Sequence, residues 1–305
     1  MVLASKSRAT ARLVFRHYNP PVSTTTENLR VEDDGLVTPE IGAWSEEKYR
    51  LIGLYDQLFS KGMKEKWDLR VYVDLYAGAG FGKVKETETR LKGSPLIALN
   101  VEYPFDKYIF CEQDPEKLDA LRQRVKRFAP AADVVFIEGS CDDRASDILH
   151  SIPRGSKARK VLSLCLVDPF DFGFKFETLR RLSDAYIDFL VLLAAQMDAN
   201  RNYGSYIASG NTKIAEALGN EDWRQRWEKS NLQRNRFPVF LAEEFSESMR
   251  TIGFLPRKAH DMKRVKTYDN NMALYYLALF SKHQRAYDFW KDVLRYGNDQ
   301  RAFWD

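Results

Sequence analysis

Five runs of nearly uninterrupted apolar residues constrain this chain more than anything else in it: 70–75 (RVYVDL), 107–112 (KYIFCE), 133–139 (DVVFIEG), 161–168 (VLSLCLVD) and 187–195 (IDFLVLLAA). A strand with one wet face alternates apolar and polar residues, so runs this continuous belong to strands covered on both faces. Helical stretches separate them: SPLIALNV, PEKLDALRQRVKRFA, a short one near 142–150, and KFETLRRLSDA. Strands alternating with helices predict a doubly wound, mostly parallel α/β sheet. Near the end, DMKRVKTYDNNMALYYLALFSKH predicts two antiparallel strands around an Asp-Asn-Asn turn, and QRAYDFWKDVLRY a last helix. Seven strands result, closed by a C-terminal hairpin.

The ends of the chain divide differently. Residues 1–43 are rich in Thr, Ser, Pro and acids and lack periodicity, so they are expected to form a partly ordered arm. The main domain, 44–305, opens with SEEKYRLIGLYDQLFSKGM, whose Tyr49, Ile52, Tyr55, Leu58 and Phe59 share one face of a helix that Ser45 is placed to cap. A helical insertion rich in Trp and Arg is expected over about 198–250.

Composition excludes several classes. Of 305 residues, 44% are hydrophobic, enough for a sizeable core, and no run of about 18 apolar residues suits a membrane helix. A soluble, cytoplasmic protein is expected. Cys111, Cys141 and Cys165 are far apart and form no CxxC pair, and the four histidines show no ligand spacing, so no metal site is expected. The net charge of +4 permits a polyanionic partner without demanding one. No Ser-His-Asp order and no P-loop are present.

Ligands of open parallel sheets bind beyond the carboxyl ends of the strands, where strand order reverses. The first strand ends there in Asp74, followed by a turn through Gly78 and Gly80. These glycines let the backbone turn sharply and approach a ligand. The glycine spacing lacks the sixth-position glycine of a dinucleotide site, and the segment 81–93 reads as a loop before the next helix. A cofactor with a cationic, amino-acid-like end suits Asp74 better, and S-adenosylmethionine is such a cofactor. Glu112, ending the second strand, can take both hydroxyls of a ribose, a role that nicotinamide sites share. That keeps a nicotinamide-dependent oxidoreductase as a weaker alternative. Asp142, after the third strand, is placed to accept from an adenine amine. Each acid alone is equally readable as a cap or a solvated loop residue.

After the fourth strand comes VDPFDFGF. Asp168 can accept from an exocyclic amine, Pro169 stiffens the backbone behind it, and Phe170 can stack on a ring. Hydrogen bonds from such an amine would localise the nitrogen lone pair toward a methyl donor. The plainer reading is a strand-ending Asp-Pro turn with a packed Phe.

YVDLYAGAG, KGSPLIAL and LVDPFDFG, in this order, resemble the three-Cys-motif partner proteins (the TcmP family) over roughly residues 44–290. More distantly they are similar to ribosomal-RNA adenine-N6 methyltransferases. The resemblance implies a Rossmann-like methyltransferase fold. It implies S-adenosylmethionine held at Asp74, Gly78, Gly80 and Glu112, and an amine-methylating motif at Asp168, Pro169 and Phe170. In the TcmP family it also implies partnership with a protein carrying a three-cysteine motif. The N6-adenine enzymes have two prolines before the aromatic, whereas this chain has one, with Asp171 after Phe170. Two functions follow: methylation of a base-like amine in nucleic acid, or a catalytically inactive partner that keeps the fold as a scaffold.

Basic runs occur at 122–127, 154–160, 223–236 and 257–266. The third interleaves Trp223 and Trp227 with arginines, which suits either nucleic-acid stacking or a buried helix face.

Overall fold

The computed structural model describes residues 26–194, 197–266 and 273–302. Residues 1–25 of the expected arm and the Asp-Asn-Asn turn lie outside them. The chain begins with α1 (Thr26–Leu29), β1 (Arg30–Val31), β2 (Glu40–Ile41) and α2 (Ser45–Met63), then β3 (Leu69–Asp74), β4 (Phe81–Val84), β5 (Arg90–Lys92) and α3 (Ser94–Leu99). Next come β6 (Lys107–Glu112), α4 (Pro115–Phe128), β7 (Val134–Glu138), α5 (Ala145–Ser151), β8 (Val161–Val167), α6 (Phe176–Leu182) and β9 (Ile187–Leu193). Five helices follow: α7 (Met197–Arg201), α8 (Tyr203–Ile207), α9 (Lys213–Leu218), α10 (Trp223–Lys229) and α11 (Phe237–Thr251). The chain closes with β10 (Lys263–Lys266), β11 (Ala273–Phe280) and α12 (Gln284–Ala302).

Seven strands form one sheet in the order β10-β11-β9-β8-β3-β6-β7. From β9 through β7 every pair is parallel. This is the doubly wound, Rossmann-like arrangement expected from the apolar runs, each of which became a strand. The C-terminal pair is antiparallel as expected, with one refinement. β11 inserts between β9 and β10 and runs antiparallel to both, so β10 points the same way as the parallel strands. β8 and β9 are buried at every position, which is why their sequences never alternate.

Segment 81–93, expected to be a loop, contains β4 and β5. With β1 and β2 they make a four-stranded sheet, β1-β5-β4-β2, so residues 30–41 are paired strands at their two ends. Short, charged strands such as RLK carry little apolar signal, and only their partners make them strands.

The start of α2 shifts by one residue. Trp44 is the N-cap of α2, and the Ser45 hydroxyl is buried without a hydrogen-bond partner. Gly93 caps α3, because its amide donates to Gly80 O at 2.7 Å and an added Cβ would press on that oxygen. Trp223 and Trp227 are core residues packed around Phe237, which removes them as a stacking surface for nucleic acid. Their i, i+4 spacing faces the insertion's own centre.

Candidate functional site at the carboxyl edge

Strand order reverses between β3 and β8, whose neighbours lie on opposite sides. Asp74 ends β3, pairing in register with Leu166, and Asp168 lies just beyond the end of β8. Asp74 is fully buried. Its Oδ1 accepts from the Tyr76 amide at 3.1 Å, while its Oδ2 has no hydrogen-bond partner. Burial pushes this carboxyl up to about 7; the neighbouring Ser94 hydroxyl, then the Tyr76 amide and Lys48, oppose the rise, and the charge of Asp168 adds to it.

The two glycines of the turn do different work. Gly78 has φ +62°, and a Cβ there would meet nothing within 4 Å, so its open side faces room for a ligand. Gly80, at φ +84°, packs so closely that a Cβ would lie 2.9 Å from Leu121 Cδ1. Glu112 reaches back to the same turn. Its Oε2 accepts from the Gly78 amide and its Oε1 from the Asp114 amide, both at 2.9 Å. Each oxygen keeps one lone pair for another donor.

Asp142 lies at the start of α6 rather than in open crevice. Its Oδ1 accepts from the Lys175 amide at 3.2 Å and from the Thr178 hydroxyl, so it satisfies donors of that helix's first turn. Its Oδ2 carries no such bond.

Asp168 has a partner that the sequence did not announce. Lys48 of α2 places Nζ 2.6 Å from Asp168 Oδ2, with both side chains largely buried. The ammonium also lies over the rings of Trp44 (4.9 Å) and Tyr49 (4.6 Å), and Trp44 stacks at a tilt on Tyr275. Burial alone would lower the Lys48 pKa, but the Asp168 carboxylate reverses the shift and holds the lysine charged. Its signal was its position. Lys48 lies four residues before Ile52 and eight before Asp56, on the face that α2 turns toward the sheet. Asp56 is itself fully buried with neither oxygen partnered, and burial drives its carboxyl well up, with the charge of Asp74 adding to it.

The loop after Asp168 is clamped from the insertion. Pro169 is buried and Phe170 is 89% exposed, while Phe172 and Phe174 turn into the core. Asp198 of α7 accepts from the Phe172 amide at 3.2 Å and from Asn202 Nδ2 at 2.6 Å, and also from the Tyr206 hydroxyl. Lys213 of α9 pairs with Asp171 at 2.5 Å. Asp171, whose presence distinguishes VDPFDFG from a two-proline motif, is therefore an anchor for this loop.

On the other flank, Arg124 of α4 is completely buried. It pairs in two-pronged fashion with Asp34 (2.8 and 2.6 Å) and donates to Val37 O and, at 2.7 Å, to Ala79 O in the glycine turn. It ties the 33–38 segment to the turn between Gly78 and Gly80. In the sequence it was one of four cations in a basic run, indistinguishable from its solvated neighbours.

The structure thus brings Asp74, Gly78 and Glu112 together at one turn and sets Asp168 and Lys48 across from them. Asp142 is directed to α6 and Gly80 to packing. The fully buried, unpartnered oxygen of Asp74 and the open side of Gly78 fit a ligand bearing an ammonium group. Among the described residues no cluster of His, Cys, Asp and Glu is arranged to hold a metal, and no helix is long and apolar enough to cross a membrane.

No family model matches the chain, and no curated protein matches it. Solved structures do. A protein of the DUF519 family from Legionella pneumophila superposes with a TM-score of 0.44 at 13% identity, over 81% of this chain and 90% of the other. Trm1 of Pyrococcus horikoshii, solved with S-adenosyl-L-methionine, gives 0.44 at 9% identity, over 83% of this chain and 61% of its own. A precorrin-6y C5,15-methyltransferase of Geobacter metallireducens gives 0.41 at 12% identity, over 86% and 100%. These are likenesses of fold, and at such scores none bears on what this chain binds.

Proposed function

We propose that the carboxyl edge binds S-adenosylmethionine and that the chain is a methyltransferase acting on a ring-borne amine of nucleic acid, in a cytoplasmic setting. One observation carries the reading. Asp74 Oδ2 is buried at the end of the central strand with no hydrogen-bond partner, and in the turn four residues on the Cβ side of Gly78 is open. A buried polar atom left unpaired is costly, and a ligand ammonium is the group that satisfies it best. The cofactor, when bound, supplies a methyl group on a sulfonium.

The chain's own residues would do the rest. Asp74 holds the ammonium end. Glu112 offers its remaining lone pairs to ribose hydroxyls, and Asp142 Oδ2 faces an adenine amine. Asp168 accepts a hydrogen bond from the substrate amine through Oδ1, since Oδ2 is engaged by Lys48. Phe170, exposed at the rim, stacks on the substrate ring.

Calorimetry with S-adenosylmethionine and S-adenosylhomocysteine tests this directly. The wild-type chain should bind both, and Asp74→Asn should weaken S-adenosylmethionine by about tenfold or more, the worth of one charge-assisted hydrogen bond. No binding of either ligand to folded protein overturns the reading.

A second reading is a catalytically silent scaffold acting with a three-Cys-motif protein. The Lys48–Asp168 pair favours it, because a carboxylate already neutralised by a buried ammonium is a poorer acceptor for a substrate amine. The motif likeness to TcmP proteins is its other support. Asp168→Ala then leaves cellular function intact, which the first reading does not allow.

A further inference from the structure

The opposite edge of the sheet carries a second concavity. A groove of about 740 Å³ opens where β8 begins, lined by Trp67, Tyr186 and the 153–160 loop. Val161, at its floor, and Asp168 are the two ends of one strand, about 20 Å apart. The groove is therefore separate from the site described above, and its size is that of a pocket for a ligand of several rings.

Its walls are basic and aromatic together. Arg154, Lys157, Arg159 and Lys160 are all exposed, and among the described residues none of them forms an ion pair. Asp184 is the single carboxylate on the lining. The nearby Asp68 accepts from the Lys160 amide at 2.7 Å, at the end of the same loop. Trp67 and Tyr186 meet at 5.0 Å between ring centres, and His283 stacks on Tyr186 at 5.5 Å and shares a hydrogen bond with its hydroxyl. Tyr186 is nonetheless 46% exposed, an unusual exposure for a ring in such a row.

The cationic loop is held in shape. Ser156 Oγ accepts from the Ala158 and Arg159 amides at 3.2 and 3.1 Å, and the Ser156 amide donates to Arg159 O at 2.8 Å. The Asp68 and Leu69 amides, at 3.0 and 3.1 Å from Lys160 O, fasten its end to the start of β3. Four unpaired cations on an ordered loop repel one another, so the arrangement is relieved by a partner that carries several negative charges. Flat rings beside those charges select among polyanions, because bases stack on them and carboxylates do not.

We infer that this groove binds a single-stranded stretch of nucleic acid, its phosphates on Arg154, Lys157, Arg159 and Lys160 and a base against the Trp67–Tyr186 row. The site stands whether or not the carboxyl edge binds a cofactor.

The test is fluorescence anisotropy of a labelled oligouridylate or oligothymidylate with the full chain. Four phosphate contacts predict a log–log salt slope of about −3, a loss of about 50-fold in affinity between about 50 and 200 mM salt. Replacing Arg154, Lys157 and Arg159 together by Ser should cost at least about tenfold with the melting temperature unchanged, since all three are exposed. Tyr186→Ala should weaken the oligonucleotide and leave polyglutamate unaffected. Unaltered oligonucleotide affinity in the triple Ser variant overturns the assignment. So does polyglutamate binding as tightly as the oligonucleotide with Tyr186→Ala indifferent, the outcome expected of an acidic protein partner.

Discussion

Lys48 Nζ stands 2.6 Å from Asp168 Oδ2, joining the first long helix to the end of a central strand across 120 residues of sequence. The pair is largely buried, so removing one member strands the other. Lys48→Met keeps the aliphatic stem and deletes the charge, leaving a carboxylate unpaired in a cleft that also holds Asp74. A cost of about 3–5 kcal/mol is expected. In Lys48→Met/Asp168→Asn no buried charge is orphaned, and most of the loss should return. Urea midpoints of the four proteins in a double-mutant cycle measure this, and equal destabilisation in the single and double variants would contradict it.

Asp74 makes the fold sensitive to pH in a defined direction. Its carboxyl rises from 3.8 to about 7 on folding because burial favours the neutral form. The folded state therefore binds the proton more tightly than the unfolded state. Stability from this group is full below the unfolded value, declines as pH climbs from about 4 to about 7, and levels off above that. Asp74→Asn should remove its part of the decline and be more stable than wild type at about pH 8, by a few kcal/mol, while matching it more closely near pH 4. Asp188, also pushed up to about 7 by burial, keeps a slope of the same sign in the variant. Binding of S-adenosylmethionine should run the other way, tightening as Asp74 ionises and reaching a plateau above about pH 7.

The parallel strands were legible because burial on both faces leaves an unmistakable apolar run, and the turn at Asp74 because acid and glycines follow such a run directly. What stayed hidden depended on tertiary partners. Lys48 was marked only by its spacing from Ile52 and Asp56 on the covered face of α2, and Arg124 was one cation of a basic run. β4 and β5 needed β1 and β2 beside them. The bonds of Asp142 Oδ1 to α6 were hidden because their donors, Lys175 and Thr178, lie more than thirty positions away.

Gly78 and Gly80 should respond differently to the same substitution. Both have positive φ, which costs an alanine about 1–3 kcal/mol. At Gly78 the methyl group enters open space, so Gly78→Ala should fold and lose stability by that strain alone. At Gly80 it also meets Leu121, itself fully buried, and Gly80→Ala should be the more damaging of the two. Thermal melts rank them. On the cofactor reading, ligand affinity should fall more for Gly78→Ala than its stability does.

Arg124 should govern the 33–38 segment. Its guanidinium holds Asp34 with two hydrogen bonds while also reaching Ala79 O, a geometry that lysine cannot copy. Arg124→Lys should therefore release the segment and expose Leu36 and Val37 to protease, with stability lowered by about 2–4 kcal/mol. Asp34→Asn should do the same at least as strongly, because it leaves the buried Arg124 guanidinium without its counter-charge and sets an amide NH2 against one of its donors. Limited proteolysis followed by mass spectrometry of the cut site reads this, and wild-type resistance in Arg124→Lys would mean that strand pairing alone holds the segment.

Phe170 offers a separation of stability from activity that the other residues do not. Its ring is 89% exposed, while Pro169 before it and Phe172 after it are buried, so nothing in the fold rests on it. Phe170→Ala should leave the melting temperature within the range of a surface substitution, about 0.5 kcal/mol. As a stacking platform for a substrate ring, however, it should contribute about 1–3 kcal/mol to the bound complex. Methyl transfer to a nucleic-acid substrate should then fall by about tenfold to a hundredfold, with S-adenosylmethionine affinity unchanged. If the variant methylates as well as wild type, the substrate is not stacked at this position, and the exposed ring belongs to a protein contact instead.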